Sequence, residues 1–240
     1  QDMPLLEKNN FLPDFKKITP PVRKKAKLMF LNYPNNPTGA IADAGFYRKA
    51  IDFASKYNII IAHDAAYSEM FYDGYKPMSF LELEGAKEAG VEFHSLSKTY
   101  NMTGWRIGWV CGNAQVVSGI AKVKSNIDSG IFSAIQIAGI EALNGPQEHI
   151  QKMRVIYQER RDVLCAGLKS VGWNFLKPKA AFYVWVSLPK GYDSRGFAAF
   201  LLEKCDIVVT PGVGFGKCGE GYIRFALTVP QERIQEAIER

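Results

Sequence analysis

The sequence predicts an α/β protein: a large, mostly parallel sheet with one antiparallel strand, then a smaller α+β domain from residue 146. Three observations carry this. Short apolar runs at 28–31, 59–62 and 91–94 each stop at polar, turn-forming residues, the pattern of strands buried on both faces. A stretch with helical spacing separates the first two, and strands alternating with helices define a parallel sheet. Of the 240 residues, 47% are hydrophobic and 22% charged, which is ordinary for a globular chain and excludes a mainly disordered one.

Residues 1–27 read as a Pro-rich, polar connecting segment anchored by Leu5, Leu6, Phe11, Leu12 and Phe15. The first strand, 28–31, ends at Asn32-Tyr33-Pro34-Asn35-Asn36-Pro37-Thr38-Gly39, a dense cluster of turn formers. Phe46, Ala50, Ile51, Phe53, Ala54 and Tyr57 recur at helical spacing. The second strand, 59–62, leads to His63-Asp64, and the third, 91–94, to Ser95-Leu96-Ser97-Lys98. A fourth, 107–110, follows after only about a dozen residues, too few for the helical crossover that a parallel neighbour needs. It is therefore expected to run antiparallel, with Arg106 at the edge where the other strands end. Helices are predicted at 114–123, 132–143 and 147–170, with Asn144-Gly145-Pro146 as a strong stop. Strands at 182–186, 207–209 and 222–227 and helices at 196–204 and 234–238 complete the small domain. The domains are accordingly 1–145 and 146–240.

The formal charge is +6, but the basic residues are dispersed, with the densest run at 23–27. No basic face with interleaved aromatics marks a nucleic-acid partner, and the run reads as a solvated connector. No apolar stretch approaches the roughly 18 residues of a membrane span, and no charged-then-apolar leader is visible. The four cysteines are widely spaced and form no metal-ligand pattern. They read as reduced thiols of a cytoplasmic protein. His63 and His94 read as satisfied core histidines, and Trp105 and Trp109 as packing residues.

Open α/β sheets bind ligands beyond the carboxyl ends of their strands. Those ends carry Asn36, Asp64, Tyr67, Ser95, Ser97 and Lys98, and the antiparallel strand adds Arg106. Two hydroxyls and a guanidinium suit a phosphate. A carboxylate suits a protonated ring nitrogen, and a lysine amine condenses with an aldehyde. Asn and Tyr can donate to a phenolic ring oxygen and favour its ionised form. The set therefore fits a phosphorylated pyridine aldehyde.

Asn35-Asn36-Pro37-Thr38-Gly39, Asp64-Ala65-Ala66-Tyr67, the run from Ser95 to Gly108 and Tyr222-Ile223-Arg224 together resemble the class I/II aminotransferases of pyridoxal 5'-phosphate (PLP) fold-type I. The resemblance covers essentially the whole chain. Within that family, the stretches 32–39, 124–130 and 214–222 are most similar to the branch that makes LL-diaminopimelate in lysine synthesis, though alanine, aspartate and aromatic branches share these phrases. The resemblance implies PLP as cofactor, held by Lys98, which also moves the substrate proton. It implies Asp64 at the pyridine nitrogen, Asn36 and Tyr67 at the ring oxygen, and Ser95, Ser97 and Arg106 at the phosphate. Arg224, with Asn36, is the expected substrate-carboxylate contact. A homodimer is implied for the full-length protein, with small amino and 2-oxo acids as ligands. The chain opens on Gln1, and the resemblance implies a further N-terminal portion with two sheet strands and the aromatic that stacks on the ring. A β-lyase of the same fold and a non-catalytic regulator are the competing functions. A nucleotide-binding protein lacks its glycine motifs here.

Overall fold

The computed structural model describes residues 1–240. The first sheet is built from β1 (Leu28–Asn32), β2 (Ile60–Asp64), β3 (Gly90–Ser95) and β4 (Gly108–Gly112), in that spatial order. β1, β2 and β3 are parallel and β4 is antiparallel to β3, as the short connection requires. That connection holds only the four-residue helix α4 (Leu96–Thr99) and a 3-10 turn at Thr103–Trp105. Before it come α1 (Pro20–Lys25), α2 (Ala44–Tyr57) and α3 (Ala86–Ala89). After it come α5 (Ala114–Ile127), α6 (Ser133–Asn144) and the long α7 (Glu148–Ser170). The second sheet is antiparallel, in the order β5 (Tyr183–Ser187), β7 (Tyr222–Ala226), β6 (Thr210–Pro211). It is flanked by α8 (Ser194–Cys205) and α9 (Gln231–Glu239).

α2 shows why these residues fold as they do. Asp43 caps it by accepting from the Phe46 amide at 2.7 Å, a contact worth about 1 kcal/mol. Asn58 ends it in the left-handed region at φ 53. Its buried face, Phe46, Tyr47, Ala50, Ile51 and Ala54, closes on Met29, Leu31 and Ile61 of the sheet to form the first core. A second core gathers Leu164 and Leu168 of α7, Val184 and Val186 of β5, and Ile223 of β7. Tyr67 and Met70, from the loop after β2, belong to this second core. The loop is stitched there by the Ala181 amide to the Met70 carbonyl (2.8 Å) and the Tyr72 amide to the Lys179 carbonyl (2.9 Å). Arg161 of α7, fully buried, grips Asp73 through both terminal nitrogens at 2.8 Å.

Four expectations change. β1 is covered on one face only: Met29 and Leu31 are buried, but Phe30 is 72% exposed, because no element packs against its side of this edge strand. The basic run 23–27 is partly helical. Pro20 and Pro21 start α1, where a missing N–H costs nothing, and Arg23 sits over the rings of Phe53 and Tyr57. The 207–209 strand does not form, since pairing with β7 begins only at Thr210, opposite Arg224, and Val208 stays in solvent. Trp105 and Trp109 remain partly exposed; Trp109 lies on edge strand β4 and stacks one face on His94.

Candidate active site

The turn after β1 is organised by Asn32. Its side chain donates to the Asp64 carbonyl at 2.9 Å and accepts from the Asn36 amide at 2.8 Å. The strand end, Asp64 and Asn36 are thereby fixed together. Two cis X–Pro bonds, Tyr33–Pro34 and Asn36–Pro37, lie in the same turn. Gly39 closes it at φ +67, and a Cβ there would sit 2.6 Å from Pro178 Cβ. Only glycine lets the turn approach the segment that leads into β5.

Asp64 projects from the carboxyl end of β2, in register with Asn32 on one side and Phe93 on the other. It is exposed, and its carboxylate accepts only from the Ala66 amide, at 3.1 Å. Tyr67 is buried, its hydroxyl 3.2 Å from that of Tyr183. Burial raises its phenol above the ordinary range, and the hydrogen bond with Tyr183 adds to this. It therefore stays protonated and able to donate at neutral pH.

At the end of β3, the Ser95 hydroxyl accepts from the Ser97 amide at 3.1 Å and caps α4, leaving its own hydrogen free to donate. Ser97 is buried. Lys98 is half-buried on α4 and makes no hydrogen bond or ion pair, so its amine is free for chemistry. Arg106 is exposed and left-handed at φ 56, its guanidinium donating to the Thr103 carbonyl at 3.0 Å. The Leu96 amide bonds the Ile107 carbonyl at 3.2 Å, which holds Arg106 beside the serine loop.

Arg224 arrives from the other sheet. It lies on β7 between Trp185 and Thr210. Its guanidinium rests 4.1 Å from the Tyr183 ring centroid and 4.8 Å from that of Phe215. One terminal nitrogen donates to Asn36 at 2.8 Å and the other to Thr210 at 3.3 Å. Its Nε is buried with no partner. Burial lowers the pKa, opposed by the neighbouring tyrosines, and an arginine remains charged throughout. A half-buried cation with one buried, orphaned donor is a site built for an anion.

Behind the site, on the other face of the sheet, Glu92 is 1% exposed. It meets His63 Nδ1 at 3.0 Å and His94 Nε2 at 2.8 Å, and accepts from the Ser79 hydroxyl and the Phe80 amide. Burial alone raises a carboxyl; here the bonds from His63, His94 and Ser79 outweigh it and hold the group below its usual range. His63 also contacts the Tyr47 hydroxyl at 3.1 Å. Both histidines are occupied structurally, as expected.

The structure thus joins Asn36, Tyr67 and Arg224 into one cluster through Tyr183, with Asp64 tied in through Asn32. Ser95, Ser97, Lys98 and Arg106 form a second group on the β3–β4 link, and no direct bond joins it to the first. Two surface recesses, of about 530 and 480 Å³, touch the rim at Asp64 and at Ser95, yet neither is lined by Lys98 or Arg224. Sequence reasoning missed Asn32, Tyr183, Thr210 and Phe215. Asn32 is the first turn residue after a strand and was findable; the other three depend on contacts between distant segments.

A mixed sheet with a free lysine after one strand, a carboxylate after the next and an anion-seeking arginine from a second sheet defines a fold-type I aminotransferase architecture. The comparisons agree. The family described as Aminotransferase class I and II matches residues 1–240, and the chain belongs to it. LL-diaminopimelate aminotransferases of Moorella thermoacetica and Halothermothrix orenii are each 58% identical over 238 residues, covering 99% of this chain and 61% of the relative. The chain therefore spans about three fifths of the length of these curated relatives. Among solved structures, substrate-bound BacF from Bacillus subtilis superposes with TM-score 0.95 at 46% identity, over 100% of this chain and 61% of that one. A probable N-succinyldiaminopimelate aminotransferase from Thermus thermophilus gives 0.92 at 38%, over 99% and 63%.

Proposed function

We propose that this chain carries the PLP and substrate groups of an aminotransferase that exchanges an amino group between LL-diaminopimelate and 2-oxoglutarate. The observation that carries the reading is the Arg224–Asn36 bond at 2.8 Å. It brings a substrate-carboxylate residue from one sheet against the cofactor turn of the other. The substrate choice is supported by the identity to enzymes of that name. The division at 145/146 is supported by the two sheets and two cores.

The donor set fits PLP. The orphaned Nε of Arg224, the unpaired amine of Lys98 and the exposed carboxylate of Asp64 each lack the partner that a charged aromatic aldehyde and its acid substrate supply. Lys98 would hold the aldehyde, Asp64 the ring nitrogen, Asn36 and Tyr67 the ring oxygen, and Ser95, Ser97 and Arg106 the phosphate. PLP, when bound, serves as the electron sink for the substrate's Cα electrons. The chain's own contributions are positional and protonic. Arg224 clamps the α-carboxylate and thereby aims the Cα–H bond. Once the substrate's amino group has displaced it from the aldehyde, the freed Lys98 Nζ would take that proton as general base and later deliver it as general acid. Asp64 would set its carboxylate against the ring nitrogen. Over both half-reactions one amino acid and one 2-oxo acid become the other pair, with no net redox change.

We place the protein in the cytoplasm as a homodimer. No helix is long and apolar enough to cross a membrane, and the four cysteines are free thiols. Ile127, Phe132 and Ile137 on and between α5 and α6 are 67–76% exposed, an apolar surface that a second subunit would cover. The test is glutamate formation from LL-diaminopimelate and 2-oxoglutarate by the PLP-loaded protein, beside alanine, aspartate and phenylalanine as donors. Turnover fastest with diaminopimelate supports the assignment; preference for another donor overturns the substrate and keeps the reaction.

A further inference from the structure

We infer that Tyr183 is a positioning residue shared by both halves of the site: its hydroxyl orients Tyr67 while its ring face orients Arg224. The inference rests on the proposed roles of those two residues. Tyr183 lies on β5 opposite Ala226, and Trp185 lies opposite Arg224. Tyr183 and Arg224 are thus diagonal neighbours on one face of the sheet, within reach of an aromatic and a long side chain. The guanidinium lies over the Tyr183 ring at 4.1 Å and over the Phe215 ring at 4.8 Å. A flat cation stacked on a ring face keeps its in-plane N–H edge free. Asn36 and Thr210 occupy part of that edge, and the unpartnered Nε marks the rest. The stacking therefore aims the donors without consuming them.

The hydroxyl does something different. Tyr67 and Tyr183 sit 3.2 Å apart and each has a single proton. If Tyr67 donated to Tyr183, it would have nothing to give an acceptor in the site. With a ring oxygen in front of Tyr67, the pair settles with Tyr183 donating to Tyr67 and Tyr67 donating outward. A donated bond polarises the next one in the chain and strengthens it. Tyr183 is 8% exposed and buried beside Tyr67 at 5%, so water does not compete. Its bond also couples a loop after β2 to a strand 116 residues further along the chain. The titratable and charged groups facing this pair are Asp64, Arg224 and Tyr157.

The test separates ring from hydroxyl. Tyr183→Phe keeps the ring and removes the bond; Tyr183→Leu removes both. Two readouts are taken on PLP-loaded protein: the pH midpoint of its visible absorbance change, and the Kd of 2-oxoglutarate by calorimetry. Tyr183→Phe is expected to raise the midpoint by a few tenths of a pH unit, because a weaker Tyr67 donor stabilises the ionised ring oxygen less. Its Kd should stay within about twofold. Tyr183→Leu should show the same midpoint shift and also weaken acid binding about 5- to 30-fold, the range expected for losing a desolvated cation–π contact. An unmoved midpoint in Tyr183→Phe overturns the hydroxyl's role, and an unmoved Kd in Tyr183→Leu overturns the ring's. Should the Leu variant not fold, Tyr183→Trp, which keeps a stacking face, serves in its place and must retain acid binding better than Tyr183→Ala. Failure of the underlying reading shows differently: no visible band in the parent protein, or undiminished acid binding in Arg224→Leu, removes the site assignment whatever the Tyr183 variants do.

Discussion

Arg161 ties the two parts of the chain together, and cutting that tie has a calculable cost. Its guanidinium has no exposed surface, and Asp73 accepts both terminal nitrogens at 2.8 Å. The Pro178 carbonyl accepts a further bond at 3.0 Å, and Asp162 accepts from Nε at 2.8 Å. Breaking a buried pair by removing one partner costs about 3–5 kcal/mol, since an uncompensated charge stays behind. Two features reduce this for Asp73→Ala. The Asp73 carboxylate is 43% exposed, so solvent screens the pair, and Asp162 continues to balance the charge. The expected loss is about 2–3 kcal/mol, or about 4–12 °C in thermal midpoint for a chain of this size. Arg161→Met should cost about 1–3 kcal/mol, chiefly from the unpaired Pro178 carbonyl. The double variant should be no worse than the costlier single one, because each single change already breaks the same interaction. The bond from Arg161 holds Asp73 below its usual pKa, against the effect of burial. A depressed carboxylate stabilises above its unfolded pKa of about 3.9, so the coupling is full at pH 7 and fades as pH falls below that value. Urea denaturation of the four proteins at pH 7 and pH 3.5 measures it. Additive losses, or coupling undiminished at pH 3.5, would refute the reasoning. The same change should loosen PLP retention, because Asp73 anchors the loop that carries Tyr67.

Three other outcomes are expected. Glu92→Gln places an amide N–H₂ among four donors and should cost about 1–3 kcal/mol. Glu92 is held below its usual range, so its advantage over Gln exists above about pH 4.3 and shrinks as pH falls; an advantage that grows toward acid contradicts this. Asp64→Asn should retain PLP, seen by absorbance, yet lose about 100-fold or more in kcat, because a neutral amide cannot balance a charged ring nitrogen. Gly39→Ala forces a side chain into a left-handed position and against Pro178, which should cost about 2–4 kcal/mol in melting experiments.

The parallel strands and the antiparallel β4 were legible because they follow from local facts: apolar runs, their stops, and a link too short to cross over. The positions of Asp64, Ser95 and Lys98 were legible for the same reason, since a strand end is itself a position in the sheet. α1 was missed because Pro20 and Pro21 were read as marks of a connector, though proline also starts helices. The 207–209 run is apolar enough for a strand, but a strand exists only where a partner pairs it, and β7 offers Arg224 and Ile223 to Thr210 and Pro211 instead. The approach of Arg224 to Tyr183 and Phe215 was beyond reach altogether. No spacing rule links residues 67, 183, 215 and 224; only contacts between distant segments do.

The proposed function stands or falls on Lys98 as the residue that holds PLP. Borohydride reduction of PLP-treated protein, followed by peptide mass spectrometry, tests it directly. One pyridoxyl group is expected, on the peptide containing Lys98, and none in Lys98→Ala. A pyridoxyl group on a different lysine in the parent protein, or an unchanged adduct in the variant, would contradict it.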